Sequence, residues 1–370
     1  MKLTYVANIR IPTEQAHGIH IMEMCQAFSL LGIDVELVVR NSEAEIKIDP
    51  FEFYDIKPIF RIKKIWCLDT VTFGRLGFLL ELLTFSLSLF FYSLGNKSIF
   101  YTRDEVPALV LKVMGKNPIL ESHMGHKNLA MRLLVILKNR IVVITYALKE
   151  LYVSLGASLD KILVVADGAD VERFDINISM DEARQKLGLS GDKNIVLYKG
   201  TLIPWKGVDT LLKSAEYIKT PNTEIVIIGG EPEEVEKLRK EYVSKENVKL
   251  VGRVPRRETP LYQKAANILV IPNSAKEDIS KLYTSPLKLF GYMASSVPIV
   301  ASSVPSIREV LDESNSFLFT PDDPESLAET IDKALNNSEE AKEKSRLALE
   351  KVQGFSWKKR AETIINFIKK

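Results

Sequence analysis

Tyr198–Leu212, YKGTLIPWKGVDTLL, packs a strand end, a glycine turn, a lysine and a helix start into one short stretch. It begins where the apolar run Ile195–Tyr198 stops at Gly200. It ends where Val208, Leu211 and Leu212 share one face of a predicted helix. Free backbone N–H groups and the positive end of a helix dipole suit a phosphate, and Lys206 adds a full charge. Pro204 and Trp205 stiffen the loop, Pro204 by fixing its own φ. Alone, the stretch reads more simply as a βα turn with a solvated lysine; the rest of the chain changes that balance.

The chain has 370 residues, 46% hydrophobic and 26% charged, with net charge +2. That length holds two domains with a core each. Near-neutral charge argues against nucleic acid as a partner, since that binding is carried by bulk electrostatics. Two cysteines, Cys25 and Cys67, allow neither a disulfide framework nor a CxxC metal pair, and point to a reducing, cytoplasmic compartment. The start, MKLTYVANIR, reads as a strand and not as a signal peptide. Leu76–Leu94, LGFLLELLTFSLSLFFYSL, is almost long enough to span a bilayer, but Glu81 lies within it. It reads as a buried or membrane-resting helix, which leaves the inner face of the cell membrane open as the location.

Strands and helices alternate along both halves. Leu3–Asn8, Ile33–Val39, Ile99–Thr102, Pro118–Glu121 and Ile141–Thr145 are predicted strands, with helices that include Ile19–Leu31 and Leu129–Lys138; the register restarts near Lys161, where Ile162–Val165 is apolar. A second series follows at Ile195–Tyr198, Glu224–Ile228, Val248–Val251, Ile268–Ile271 and Pro298–Ala301. Strands that are apolar throughout and alternate with helices imply an α/β fold with parallel sheets covered on both faces. The expected architecture is two doubly wound, Rossmann-like domains, residues 1–168 and 169–355, facing each other across a cleft. The last helix, Trp357–Ile368 within 356–370, carries Ile364, Ile365 and Ile368 on one stripe and is expected to cross back onto the first domain.

Ligands of open α/β sheets bind at the carboxyl ends of the strands, and several pieces fall there. Gly18, flanked by His17 and His20, precedes a predicted helix and would let a ligand approach the backbone. No GxGxxG follows the first strand, which disfavours a nicotinamide cofactor. ESHMGHKN (Glu121–Asn128) puts His123 and His126 in a loop, where an imidazole could donate to a sugar hydroxyl or phosphate. No further ligand spacing supports a metal there. Lys112, Lys116, Lys127, Arg132, Lys138 and Arg140 surround Glu121; a solvated helix face, an anionic membrane or a lipid phosphate would each suit them. Gly229 lies in a Gly-Gly turn before the acidic helix start at Pro232, so it borders a phosphate without holding one. The backbone at Arg253 and Val254 follows another strand and could meet a planar base. In TSPLKLFGYMASSVPIVAS (Thr284–Ser302), Ser285 reads as N-cap and Pro286 as the first helical residue, with Lys288 one turn in. This is a second anion site, facing Lys206.

These motifs resemble the retaining glycosyltransferases of family four, with the GT-B fold. The likeness lies in GTLIPWKGVDTLL, IIGGEPEE, Ser285–Leu311, Ile144–Phe174, YTRD (Tyr101–Asp104), ESH and FSW (Phe355–Trp357), and covers nearly the whole chain. It implies that Lys206 binds the donor diphosphate with the turn at Gly200, and that Ser285, Pro286 and Leu287 offer it a helix N-terminus. It further implies that Gly18 approaches the diphosphate and that His123 lies by the transferred sugar. The implied reaction moves a hexose from a nucleotide-diphosphate sugar to a hydroxyl of a glycan or lipid-phosphate-linked acceptor. It requires no cofactor and no metal.

The chain departs from the family pattern at Thr201, where many members have arginine, and at Tyr283 and Gly291, where the family often has glutamates. Ser296 also replaces a usual glycine. One cation is thus missing from the leaving group, with Lys288 or Lys199 as the candidate substitutes. Two other functions fit the same plan. One is a non-catalytic nucleotide-sugar-binding homologue, suggested by those departures. The other is a nucleotide-sugar 2-epimerase, for which Glu121 and Asp104 are the only candidate carboxylates.

Overall fold

A computed structural model describes residues 1–42, 46–242 and 247–370, and among the described residues thirteen strands form two sheets. The first sheet holds β1 (Lys2–Ala7), β2 (Asp34–Arg40), β3 (Arg61–Ile65), β4 (Ile99–Thr102), β5 (Ile119–Ser122), β6 (Arg140–Val143) and β7 (Ile162–Val164). Its order is β3-β2-β1-β4-β5-β6-β7, and each paired neighbour runs parallel. The second holds β8 (Asn194–Lys199), β9 (Thr223–Ile228), β10 (Val248–Gly252), β11 (Ile268–Ile271), β12 (Ile299–Ser302) and β13 (Phe317–Phe319). Its order, β10-β9-β8-β11-β12-β13, is parallel as well. The α/β class read from apolar, non-alternating strands is therefore what forms. The central strands are buried along most of their length, as a sheet covered by helices on both faces requires.

Three strands go beyond the sequence reading: β3, β13 and β7, whose run Ile162–Val165 reads only as apolar. The β3 segment, RIKKI, is an edge strand whose lysines face solvent, so it carries no apolar run. The β13 segment is only three residues long.

The chain divides into one unit of Met1–Ala166 with Trp357–Lys370, and a second of Asp167–Ser356. The helix Trp357–Lys369 belongs to the first unit, where it packs on Ala16–Leu30. In the second unit, Leu211, Leu212, Val196, Ile225 and Val300 join one buried cluster beneath the β8 turn.

Each sheet changes direction at one place. In the second sheet the chain leaves β8 toward β9 and β10, then returns to lay β11 on the other side of β8. In open α/β sheets such a switch point at the carboxyl edge is the usual place for a ligand. In the first sheet the change falls between β1 and β4, where the Asn8 N–H donates to the Asp104 carboxylate at 2.7 Å.

The apolar segment forms a helix, Gly74–Ser93, on β3 and on the helix Glu105–Val113. With the preceding turn it makes Val71–Ser93, the one helix among the described residues long and apolar enough to cross a membrane. A third of its most apolar window is buried in the protein.

The turn after β8 depends on Gly207, which sits at φ +73°. A Cβ there would lie 1.7 Å from the Pro272 carbonyl oxygen of the loop after β11. Gly207→Ala therefore adds left-handed strain and a backbone clash. It should cost about 2–4 kcal/mol, read as a lower urea midpoint at unchanged m-value.

Candidate functional site

In the second unit β8 ends at Lys199, and the chain swings outward at Gly200, φ +149°. The Lys199 N–H donates to the Tyr292 hydroxyl at 2.8 Å, and the Tyr198 hydroxyl donates to the Thr201 carbonyl at 2.7 Å. Over the Tyr198 ring, 3.8 Å from its centroid, lies the ammonium of Lys288. A Cβ on Gly200 would stand 2.9 Å from that nitrogen, so the glycine makes room for the charge. Lys288 Nζ is buried and has no hydrogen-bond partner among the described residues. One turn later Lys206 Nζ stacks on Trp205, 3.8 Å from the ring centroid. The Trp205 carbonyl accepts from the Ser274 N–H at 3.1 Å and from Ser280 Oγ at 3.0 Å, which pins this turn to the exit of β11.

Three lysines therefore crowd the switch point. Burial lowers Lys206 to about 7. Burial, with Arg256 and Arg173, also lowers Lys199 to about 7. Burial, then Lys206 and Lys199, push Lys288 far below the ordinary lysine range. No carboxylate is among the groups acting on any of them. Partly desolvated amines with no countercharge favour an anion beside them.

The other candidates lie along the same edge. Gly229 touches the turn: its N–H donates to the Gly252 carbonyl at 2.7 Å, and a Cβ on it would lie 2.3 Å from the Gly200 oxygen. The ends of β8, β9 and β10 thus meet. Arg253 is exposed and ion-paired with Glu231, while Val254 is half-buried. Thr201 is exposed at the tip of the turn.

The next helix begins at Leu287 and runs to Ala294, with Pro286 as its N-cap residue. This corrects the reading of Ser285 as cap and Pro286 as first helical residue. Ser285 is one position too early, and its hydroxyl instead accepts the Asp167 N–H at 3.1 Å. Pro286 has no N–H to leave bare, and the amides of Leu287 and Lys288 have no partner within the helix. Gly291 has a packing reason: a Cβ there would stand 2.9 Å from the Phe174 ring. Phe174 fills the space that a side chain at 291 would need.

A different chemistry is assembled in the first unit. Glu121, fully buried at the end of β5, accepts from Arg360 Nη2 at 2.6 Å and from the Tyr101 hydroxyl at 2.5 Å. His123 Nε2 lies 2.6 Å from it and His20 Nε2 3.0 Å. Burial raises the Glu121 carboxyl, but Arg360, His20 and His123 together outweigh it and hold the group well below the ordinary range. An ionised carboxylate only accepts, so His123, hydrogen-bonded to it, carries a proton on Nε2. The rings of His20 and His123 meet edge-on at 4.8 Å, and Trp357 backs His20 at 5.4 Å. The Arg360 guanidinium already supplies the positive charge that a cation would bring to Glu121.

His126 turns elsewhere, to Glu105 at 2.7 Å, a hydrogen bond that raises it. Burial, then Arg103 and His20, lower His17 to about 4. Gly18 does not precede its helix but lies inside Ala16–Leu30, since the helix starts three residues before the predicted Ile19. A Cβ on Gly18 would stand 2.3 Å from the Tyr54 hydroxyl, which bonds both Thr13 N–H and Thr13 carbonyl. The backbone at Gly18 is thus approached by Tyr54. Of the two carboxylates an epimerase would need, Glu121 is saturated and Asp104 accepts from Asn8.

Sequence reasoning missed Arg360 and Tyr101. Arg360 looks like one of the solvated cations in WKKRAETI, but it falls on the stripe of Trp357, Ile364 and Ile365, and that spacing was the available signal.

Comparison with known proteins bears on the second unit above all. Residues 179–350 match the family described as Glycosyl transferases group 1. A D-inositol 3-phosphate glycosyltransferase of Mycolicibacterium smegmatis is 28% identical over 228 residues, 59% of this chain and 50% of that protein. An uncharacterised glycosyltransferase of Methanocaldococcus jannaschii is 27% identical over 206 residues, 54% of this chain and 51% of that one. The chain spans about half the length of the curated relatives it matches. Among solved structures, sucrose-phosphate synthase from Thermosynechococcus elongatus is similar with TM-score 0.80 and 18% identity, covering 100% of this chain and 98% of that one. HepE of Anabaena in complex with UDP-glucose gives TM-score 0.78 and 16% identity, covering 100% and 99%. These likenesses show the fold, which is that of the GT-B glycosyltransferases.

The Glu121–Arg360 pair is testable. The Glu121 carboxyl is depressed, so its contribution to stability is present above the ordinary carboxylate range and lost as pH falls through the folded value. Arg360→Met leaves a buried charge uncompensated and should cost about 3–5 kcal/mol in denaturant unfolding at neutral pH. Adding Glu121→Gln should recover part of that loss, read as a non-additive double-mutant cycle.

Proposed function

We propose, from the premise that residues 179–350 form a glycosyltransferase group 1 domain, that the chain is a retaining transferase for a nucleotide-diphosphate sugar. The observation that carries this is the half-buried trio Lys199, Lys206 and Lys288 at the exit of β8, with Lys288 Nζ buried against Gly200 and the Tyr198 ring and Lys206 Nζ on the Trp205 ring. A pyrophosphate is the ligand that such a trio, beside the Leu287–Ala294 N-terminus, is built to take. Gly200, Thr201 and Gly229 border it, and the backbone at Arg253 and Val254 faces the base. Ser285 and Pro286 set where the helix begins, so that Leu287 and Lys288 offer their amides.

In the reaction the bond from the anomeric carbon to the leaving phosphate oxygen breaks, and a bond to the acceptor oxygen forms on the same face. The acceptor proton passes to the leaving phosphate. Negative charge grows on the diphosphate, where the three lysines are concentrated, and this is the term that electrostatic stabilisation enlarges. Lys288, whose ammonium lies at the Gly200 turn, supplies the cation that Thr201 does not. With Phe174 filling the space at Gly291, no carboxylate at that position grips the ribose.

The first unit takes the acceptor, a glycan or lipid-linked glycan. His123 is its group for the transferred sugar, fixed by Glu121, with Gly18 shaping the wall through Tyr54. No metal or cofactor enters the reading. Two buried free cysteines suit a cytoplasmic location.

Lys206→Ala should cost about 2–4 kcal/mol in kcat/KM, measured against a panel of nucleotide sugars and acceptors. Turnover close to the parent's at saturating donor would refute the assignment.

A pH dependence follows as well. Lys199 and Lys206 each lie at about 7 without ligand, and a bound pyrophosphate would raise them, so binding takes up protons. Nucleotide-sugar affinity should therefore fall as pH rises through about 7, by up to roughly tenfold per unit for each lysine that takes a proton. A nucleotide sugar keeps a fixed pyrophosphate charge over this range. Calorimetry in buffers of differing ionisation enthalpy reads the proton uptake directly.

A further inference from the structure

The helix Gly74–Ser93 is built with its polarity reversed. Its inward stripe, Gly77, Glu81, Phe85, Leu89 and Ser93, contains its only charged side chain other than Arg75. Phe85 and Leu89 pack with Val6, Val38, Ile65 and Phe100 in one cluster, and Glu81 is ion-paired with Arg40 beneath the helix. Its outward stripe, Leu76, Leu80, Leu83, Leu87 and Phe91, lies open, from 49% to 75% exposed. A helix facing water carries the opposite pattern. Leu68 runs beside it, its N–H accepted by Thr84 Oγ1 at 3.1 Å, and the exposed Trp66 stands two residues earlier.

The charges around this face are chiefly positive. Arg75 lies at the start of the helix and Lys97 follows its end, both exposed. Lys116 reaches the same end, where its Nζ donates to the Asn96 carbonyl at 2.9 Å, and Lys63 lies over the Tyr92 ring. The acids nearby are engaged: Asp69 with Arg10 at 2.5 Å, and Glu36 with Tyr92 and Arg61. Beyond the helix Glu105–Val113, the neighbouring Leu129–Ile136 exposes Leu129 and Ile136 next to Arg132.

We infer that this face of the first unit docks on an anionic phospholipid bilayer, with Gly74–Ser93 lying in the plane of the interface. An apolar stripe sinks to the acyl boundary while cations at both ends meet phosphate headgroups. Spanning is disfavoured because the inward stripe is already committed to the sheet and to the Glu81–Arg40 pair. A protein partner would have to match a stripe that is apolar at its centre and cationic at both ends, which is the profile of a leaflet. The inference goes beyond the transferase reading and does not rest on it.

The test is co-sedimentation of the full chain with phosphatidylcholine vesicles, with and without phosphatidylglycerol, in the absence of nucleotide. Binding should be at least ~10-fold stronger to the anionic vesicles and should weaken with salt. Leu83→Glu combined with Leu87→Glu should reduce it at least ~10-fold while the melting temperature and nucleotide-sugar affinity stay unchanged. Arg75→Glu with Lys97→Glu should abolish the preference for phosphatidylglycerol and spare the residual apolar binding. No sedimentation with either vesicle would overturn the inference. So would a lipid-free homodimer that the Leu83→Glu, Leu87→Glu variant dissociates, since the face would then be a protein interface. Nucleotide-sugar binding measured on the same samples separates this outcome from failure of the transferase reading.

Discussion

Charge without a countercharge governs the second unit. Lys199, Lys206 and Lys288 converge where the sheet order reverses between β8 and β11, and aromatic faces accompany two of them. A ring quadrupole offsets little of what a lysine loses on leaving water. The local backbone serves this arrangement. Gly200 clears room for one ammonium, Gly207 lets the loop press on the Pro272 carbonyl, and Pro286 starts a helix whose first amides stay bare. Removing the lysines should relieve the protein of the cost of their desolvation.

The first unit solves the converse problem. There a carboxylate is buried, and the protein surrounds it with every donor it needs. Glu121 collects a guanidinium, a phenol and two imidazoles, and the guanidinium arrives from the far end of the sequence. A saturated acid cannot act as a free base. It can fix which nitrogen of His123 holds the proton and where the ring points. One unit thus leaves its charge open, while the other closes it and passes on an orientation.

Much of this was legible because parallel, doubly covered strands must be apolar on both faces. IVLY, IVII, ILVI and IVAS betray themselves without any alternation. The misses have equally physical causes. RIKKI pairs on one edge only, so solvent reclaims its lysines, and FLF is too short to separate from a loop. Gly18 reads from sequence as a turn residue ahead of a helix, open to a ligand. Inside the fold its missing Cβ admits Tyr54, from a segment with no sequence mark of that contact. Ser285 has the right chemistry for a cap, but the Asp167 amide claims its hydroxyl. Such long-range claims on a local signal are invisible in one dimension.

Hydropathy carries the same ambiguity for Gly74–Ser93. A run of Leu and Phe interrupted by Glu81, Ser86 and Ser93 fits a core helix, a span or an interfacial helix, and composition cannot rank them. Orientation can. In a core helix the polar residues would face water; here Glu81, Ser86 and Ser93 are the buried ones. Glu81 reaches Arg40 at the end of β2, and Ser93 bonds Phe90 and Met114, so the helix is anchored through its polar side. Phe85 and Leu89 join the core beside them, and most of the remaining leucines of the helix face outward. An apolar exterior left on a helix anchored by its inward stripe is stable in the fold yet costly in water, and the cost persists until a less polar medium meets it.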